Sequence, residues 1–242
     1  MIGLGTLINT AAIVAGGLVG LLFGKGFKPR FQEIVMHALG ISTIFLGIGG
    51  TMEKMLLIGK DGHLETTGSM MLIISLALGA LIGEALNLEY RFEQLGTWLR
   101  KVSHSEGDGG FLDGFMTASL TVCIGAMAIV GAIQDGINHD PTTLIAKAIL
   151  DFIIIMIMTA SMGKGCMFSA VPVFVLQGLV TLLARAIEPL LTTEALDNLS
   201  LVGSALIFCV GINLIWGKKI RLANLVPAVV VAVVYAFLPV KF

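Results

Sequence analysis

Charge is what this sequence has least of. Only 13% of its 242 residues are Asp, Glu, Lys or Arg, about half the share of an ordinary soluble domain. That scarcity excludes a water-solvated globule, and with so many apolar residues it also excludes a disordered tail. No basic block exists and the net charge is −1, so there is no electrostatic footprint for a nucleic acid. Cysteine is as scarce. Cys123, Cys166 and Cys209 sit in or beside apolar runs with no CxxC or CxxxH partner, which excludes a disulfide scaffold and reads as small packing residues. Enzyme signatures are missing too: no GxSxG, HExxH, Walker A or GxGxxG occurs in a suitable context. His37, His63, His104 and His139 lie in or near different connections, and neither Ser161 nor Ser169 has a base partner in view. The expectation is a protein that is not an enzyme and uses no cofactor or metal. A basic leader is absent as well, since the first charge is Lys25. Met1 to Phe23 therefore reads as a retained membrane span.

What is present in abundance is apolar surface. The hydrophobic share is 56%, with 30 glycines besides, and the mean hydropathy is +0.96. Lipid must be the main solvent. A hydrocarbon core of about 30 Å takes about 20 helical residues, and nearly uncharged runs of that size fall at 2–23, 34–52, 68–88, 111–133, 142–163, 166–187, 199–216 and 222–239. Their length and lack of alternation exclude membrane strands. The expected fold is an all-α polytopic membrane protein of about eight transmembrane helices, one integral membrane domain over 1–242. Lys and Arg in the connections set the orientation. With the N-terminus outside, ten fall inside (Lys25, Lys28, Arg30, Arg91, Arg100, Lys101, Lys164, Lys218, Lys219, Arg221) and four outside (Lys54, Lys60, Arg185, Lys241). Both termini are thus expected outside.

Finer features add detail. Residues 88–103 place Leu88, Phe92, Leu95 and Leu99 on one helical face with Arg91, Arg100 and Lys101 near headgroups, an amphipathic helix lying on the inner surface. Residues 192–198 read as a shorter outer equivalent. Gly16, Gly20 and Gly24, and again Gly79 and Gly83, recur every four residues, the spacing that lets helix backbones approach closely. The segment 11–22 resembles 122–133, suggesting an inverted repeat of units 1–105 and 106–198, each of three spans, followed by two last helices over 199–242. Helix breaks are suggested at Gly47-Ile48-Gly49-Gly50, at Gly163-Lys164-Gly165 and at Pro172.

Polar residues inside the spans carry the functional signal, because an ionisable group at mid-bilayer costs about 2.5–3.5 kcal/mol on insertion scales. Asp151 lies near the middle of the fifth run, with Lys147 one turn earlier on the same face. Two readings stand: an ion pair whose lysine snorkels to the headgroups, or a cation or proton site at Asp151. Gln177 falls at the centre of the sixth run, Asn9 in the first and Asn213 in the seventh; such amides either join helices or line a polar path. Glu84 stands near the inner end of the third run, as a cap or an inner gate. Asp135 and Asp140 belong to the loop 134–141, an outer mouth that gathers cations or a solvated turn in which Asp140 and Pro141 open the next helix. Asn224 and Pro227 open the last run.

Three stretches carry a family resemblance: GAMAIVGAIQDGINHDPTTLIAKAILDF at 125–152, LGALIGE at 78–84 and GKKIRLANLVPA at 217–228, with GTLINTAAIVAGGLVG near the start. Together they resemble the YqgA/YdfK-like bacterial inner-membrane proteins, a domain of unknown function (family 554). The resemblance implies a multi-pass protein of the bacterial cytoplasmic membrane, often described as a candidate transporter, and assigns no residue a role. The residues themselves favour a secondary transporter or channel for a small or ionic solute, with Asp151 and Lys147 at its ion site and Gln177, Glu84, Asn9 and Asn213 along the path. A scaffold or sensor whose polar residues join helices is the rival. The partners expected are the lipid bilayer and an unidentified small solute or ion; the sequence leaves both a monomer and a homo-oligomer open.

Overall fold

In a computed structural model, residues 2–24, 29–59, 61–123, 126–190 and 192–238 are described. Lys25, Lys28, Lys60 and Lys241 of the charge count lie outside them. The chain is 83% helical, as a lipid-facing backbone that must satisfy its own hydrogen bonds requires. The helices are α1 Leu4–Gly24, α2 Pro29–Met55, α3 Ser69–Leu86, α4 Leu88–Val102, α5 Phe111–Cys123, α6 Ala126–Ile137, α7 Thr142–Met162, α8 Ala170–Leu182, α9 Ala184–Ile187, α10 Thr193–Trp216, α11 Leu222–Leu225 and α12 Pro227–Tyr235. A small antiparallel hairpin, β1 Leu56–Ile58 and β2 Leu64–Thr66, joins α2 to α3.

Among the described residues, six helices are long and apolar enough to cross a bilayer, and a seventh crossing is available if α5 and α6 act together. Two of the eight expected runs therefore differ. Run 111–133 is broken: residues 111–123 and 127–137 meet at 61°. Run 222–239 is a short α11 and α12, because Pro227 supplies no N–H and opens a new helix at its first position. Other expectations shift for local reasons. The glycine cluster at 47–50 does not break α2, which continues to Met55. Residues 193–198 form no separate surface helix; Thr192 accepts a hydrogen bond from the Ala195 N–H at 3.2 Å and starts α10 there. Gly163, at φ +92°, ends α7, and a 3-10 turn Lys164–Ser169 leads into α8, so that glycine pair is a connection.

The chain forms two compact units. Among the described residues, one lies within 1–39, 90–123 and 127–188, the other within 40–89 and 189–242. In the first, α1 lies along α7 at backbone distance. A Cβ on Gly16 would collide with the Phe152 carbonyl oxygen, one on Gly20 with that of Met156, and one on Gly24 would stand 3.0 Å from that of Ala160. The four-residue glycine spacing thus matches the carbonyl rows of α7 turn for turn. The amphipathic α4 turns Phe92, Leu95 and Leu99 onto Phe111, Phe115 and Met116 of α5, with Phe92 and Phe115 stacked 5.4 Å apart. Trp98, on its other side, is 56% exposed.

The second unit repeats the close-packing device. Added Cβ atoms on Gly79 and Gly83 would strike the backbone of Ala228 and Asn224, and Gly47 and Gly50 face Phe208 and Ser204 of α10. Met71, Leu201, Val202, Ala228, Ala232 and Tyr235 form its core.

Substituting Gly16 or Gly20 by Val is expected to lower the thermal midpoint of detergent-solubilised protein, by the about 1–3 kcal/mol typical of overpacking. Gly178→Ala, where an added Cβ meets nothing within 4 Å, is expected to leave it unchanged or raise it slightly. Equal effects at all three positions would contradict the α1–α7 contact.

Candidate functional site

In the first unit, polar groups that an apolar helix cannot place in lipid turn inward and meet. Asp151 is the tenth residue of α7, and Lys147 precedes it by one turn. The Lys147 Nζ donates to Asp151 Oδ2 at 2.5 Å and to the carbonyl oxygen of Val122 at 2.9 Å. Both side chains are buried. The lysine does not snorkel, because it has two acceptors inside the protein. Val122 is the penultimate residue of α5, where helix carbonyls run out of intrahelical donors and the macrodipole leaves negative partial charge. An ammonium between that carbonyl and a carboxylate satisfies both.

A line of further polar side chains leads away from this pair along α1. Asn9, fully buried, sits beside the Asp151 carboxylate and donates through Nδ2 to Gln177 Oε1 of α8 at 3.2 Å. One turn along each helix, the Thr6 and Thr181 hydroxyls share a hydrogen bond of 3.3 Å. Next to them the Gly5 N–H, free of an intrahelical partner at the start of α1, donates to Asp135 Oδ2 at 2.9 Å. The run is therefore Asp135, Thr6 with Thr181, Asn9 with Gln177, then Asp151 with Lys147. It is not fully satisfied. Asp135 Oδ1, Asn9 Oδ1 and Gln177 Nε2 are buried without a hydrogen-bond partner in the protein.

The structure moves some predicted residues. Asp135 is not in the loop with Asp140: α6 continues to Ile137, and Asp135 is fully buried because the N-terminal turn of α1 supplies its donor. Asp140 does stand in the connection, where its Oδ1 accepts from the Thr142 backbone N–H at 3.0 Å and from the Thr142 hydroxyl. Those two bonds hold its carboxyl below the ordinary 3.8. Asn213 belongs to the second unit and serves its own turn: Oδ1 accepts from the backbone N–H groups of Lys219 and Ile220, and Nδ2 donates to the Ile220 carbonyl. Sequence reading missed Thr6, Thr181 and the Val122 carbonyl, since a lone threonine in an apolar run looks like any span residue and a backbone acceptor has no letter.

Glu84 is in the second unit, in a separate network. Its Oε1 accepts from Arg221 at 2.8 Å and its Oε2 from Asn224 Nδ2 at 2.6 Å. Asn224 Oδ1 in turn accepts from the Glu89 N–H at 2.7 Å, while Glu89 accepts from the Ala223 N–H at 3.0 Å and pairs with Lys218 at 2.9 Å. The network fastens the turn before α12 to the end of α3. Among the described residues no group of three or more His, Cys, Asp or Glu side chains is arranged to hold a metal ion.

The two polar systems use the same stretches that carried the family resemblance: 125–152 holds Asp135, Lys147 and Asp151, and 78–84 locks against 217–228. A family model described as "Protein of unknown function (DUF554)" matches residues 4–237. The chain belongs to this family. Among DUF554 relatives, the "Uncharacterized membrane protein YdfK" of Bacillus subtilis (strain 168) is 33% identical over 239 residues, covering 96% of this chain and 97% of that protein. The "Uncharacterized protein YqgA" of Escherichia coli (strain K12) is 28% identical over 236 residues, covering 95% and 94%. No solved structure matches. Family and helices together identify a multi-pass membrane protein.

Three variants test these hydrogen bonds. Asn224→Leu removes a donor from Glu84 and the acceptor of the Glu89 N–H, so a loss of about 1–3 kcal/mol is expected in thermal unfolding. Arg221→Ala breaks only a pair with side chains 67% and 58% exposed, and less than about 1 kcal/mol is expected. At Asp140, a depressed pKa favours the fold above the unfolded value near 3.8 and stops doing so as pH falls through the folded value. Thr142→Val should move the carboxyl titration of Asp140, followed by NMR, upward towards 3.8.

Proposed function

We propose that this protein is a membrane transport protein, a secondary transporter or channel, for a small or ionic solute, with the Lys147–Asp151 pair as its intramembrane ionic site. The observation that carries the reading is the incompletely satisfied polar line from Asp135 through Asn9 and Gln177 to Asp151. Joining helices needs polar groups that satisfy one another. Oxygens left buried and unpartnered at Asp135 and Asn9 suit a path along which a cation or water supplies the missing partner. A break between two half-helices, with a carbonyl at its edge taken by a cationic group, is the kind of arrangement that transporters use to hold ions. On this reading the protein is not an enzyme, sits in the bacterial cytoplasmic membrane with its N-terminus outside, and presents Asp140 near an outer mouth; the C-terminus is also outside where α11 and α12 complete an eighth crossing. Units 1–105 and 106–198 are its inverted halves. Glu84 and Asn213, each occupied in its own network, shape the second unit instead of lining this path.

One observation favours the rival scaffold or sensor. Asp151 already has a partner in Lys147, and Gln177 has one in Asn9, so both pairs also serve as helix joints. Reconstitution separates the two. In proteoliposomes loaded with a pH-sensitive dye and pulsed with alkali-metal salts or small organic ions, the wild-type protein is expected to show proton-linked flux. Asp151→Asn, folded by gel filtration and thermal unfolding, is expected to lower that flux at least about tenfold. Unchanged flux in the folded variant would remove Asp151 from the mechanism, and no wild-type flux for any solute would favour the scaffold.

A further inference from the structure

The surroundings of the Lys147 ammonium are those of a cation site. Its Nζ lies 2.5 Å from a carboxylate oxygen of Asp151 and 2.9 Å from the Val122 carbonyl oxygen at the C-terminal end of α5. Beside the same carboxylate stands Asn9, fully buried, whose Oδ1 has no partner. A full negative charge and a carbonyl at the negative end of a helix dipole are hard oxygen donors of the kind that a small inorganic cation takes in place of water. From α5 the titratable side chain facing the pair is Cys123; from α1 it is the neutral Asn9.

We infer that Lys147 is a tethered occupant of a site for a monovalent alkali-metal cation, formed by Asp151 and the Val122 carbonyl, and that a transported cation binds by displacing its ammonium, which leaves as the neutral amine with its proton passed to water. Charge decides the stoichiometry. One carboxylate in a low-dielectric interior is balanced by one positive charge; with none, a buried unpaired charge costs about 3–5 kcal/mol, and with two the excess charge has no counterion. The site holds the lysine or the free ion, never both. A covalently attached competitor is present at high effective concentration, so the wild-type site admits free cations weakly. Removing the amine leaves the oxygens in place and open to ions. The inference rests on the transport reading for its biological meaning, whereas its test is one of binding alone.

Lys147→Met, which keeps the length of the stem, and Lys147→Ala, which opens space, are purified in detergent and unfolded thermally. The titrants are LiCl, NaCl and KCl, against N-methylglucamine chloride at equal ionic strength. At least one alkali cation is expected to raise the midpoint of a Lys147 variant by about 3 °C or more at saturation. The wild type is expected to respond far less, and Lys147→Met combined with Asp151→Asn not at all. If the single variants fail to fold, membranes are solubilised in each salt and the monodisperse yield is compared. Recovery in an alkali salt but not in N-methylglucamine supports the site.

Folded Lys147 variants with no cation-specific shift would overturn it, as would unfolded variants that no alkali salt recovers. Stabilisation of Lys147→Ala by propylammonium alone also overturns it, because the pocket would then be fitted to an amine and structural. Alkali binding without flux in proteoliposomes would defeat the transport reading while leaving the site standing.

Discussion

Everything at the polar centre depends on how closely α1 approaches α7. With side chains of ordinary size between them, two helices pack about 8–10 Å apart; a closer approach brings short side chains such as those of Asn9 and Asp151 together with no longer residue between. Gly16, Gly20 and Gly24 remove that spacing layer and set α1 against the carbonyls of Phe152, Met156 and Ala160. Two turns along, the same helix pair brings Asn9 to Asp151. The apolar half of α1 thus acts as a clamp that aligns its polar half. In lipid, where no hydrophobic force distinguishes a neighbouring helix from an acyl chain, such shape matching is the main means of fixing which helices meet.

Much of this was legible in the chain. Long uncharged runs specify helices because lipid allows an exposed backbone no other solution, and glycine spacing marks the faces that approach. Asp151 with Lys147 could be read as a pair from the four-residue interval alone. The pattern was weaker where chain direction changes inside an apolar run. Hydropathy registers total burial in lipid and is blind to a bend, so 111–133 reads as one span although its two pieces meet at 61°. The same blindness hides α11 and α12, whose separate starts depend on Pro227.

At single residues the limit was one of partners. Asp135 sits among Gln134, Asn138 and Asp140, a composition that reads as a loop, and only the distant Gly5 N–H explains its burial. Asn213 has the same letter as Asn9 and a like apolar setting, yet it folds back on the turn after its own helix. Local sequence records that a polar group is present; which atom answers it is settled by packing between elements far apart in the chain. Glu89 and Asn224 show this in the second unit, where Asn224 accepts from the Glu89 N–H and Glu89 from the Ala223 N–H.

The bend between α5 and α6 has a mechanical consequence. At 1.5 Å per residue, 13 residues of α5 and 12 of α6 measure about 20 and 18 Å, so neither crosses a hydrocarbon core alone. The Val122 carbonyl at the end of α5 has no donor within its own helix, and Lys147 supplies one. The lysine is therefore a latch as well as a charge: it holds the end of one half-helix to α7. Withdrawing its ammonium leaves the Asp151 carboxylate and the Val122 carbonyl without their shared donor at once, so the charge balance of the core and the satisfaction of the end of α5 rest on the same group.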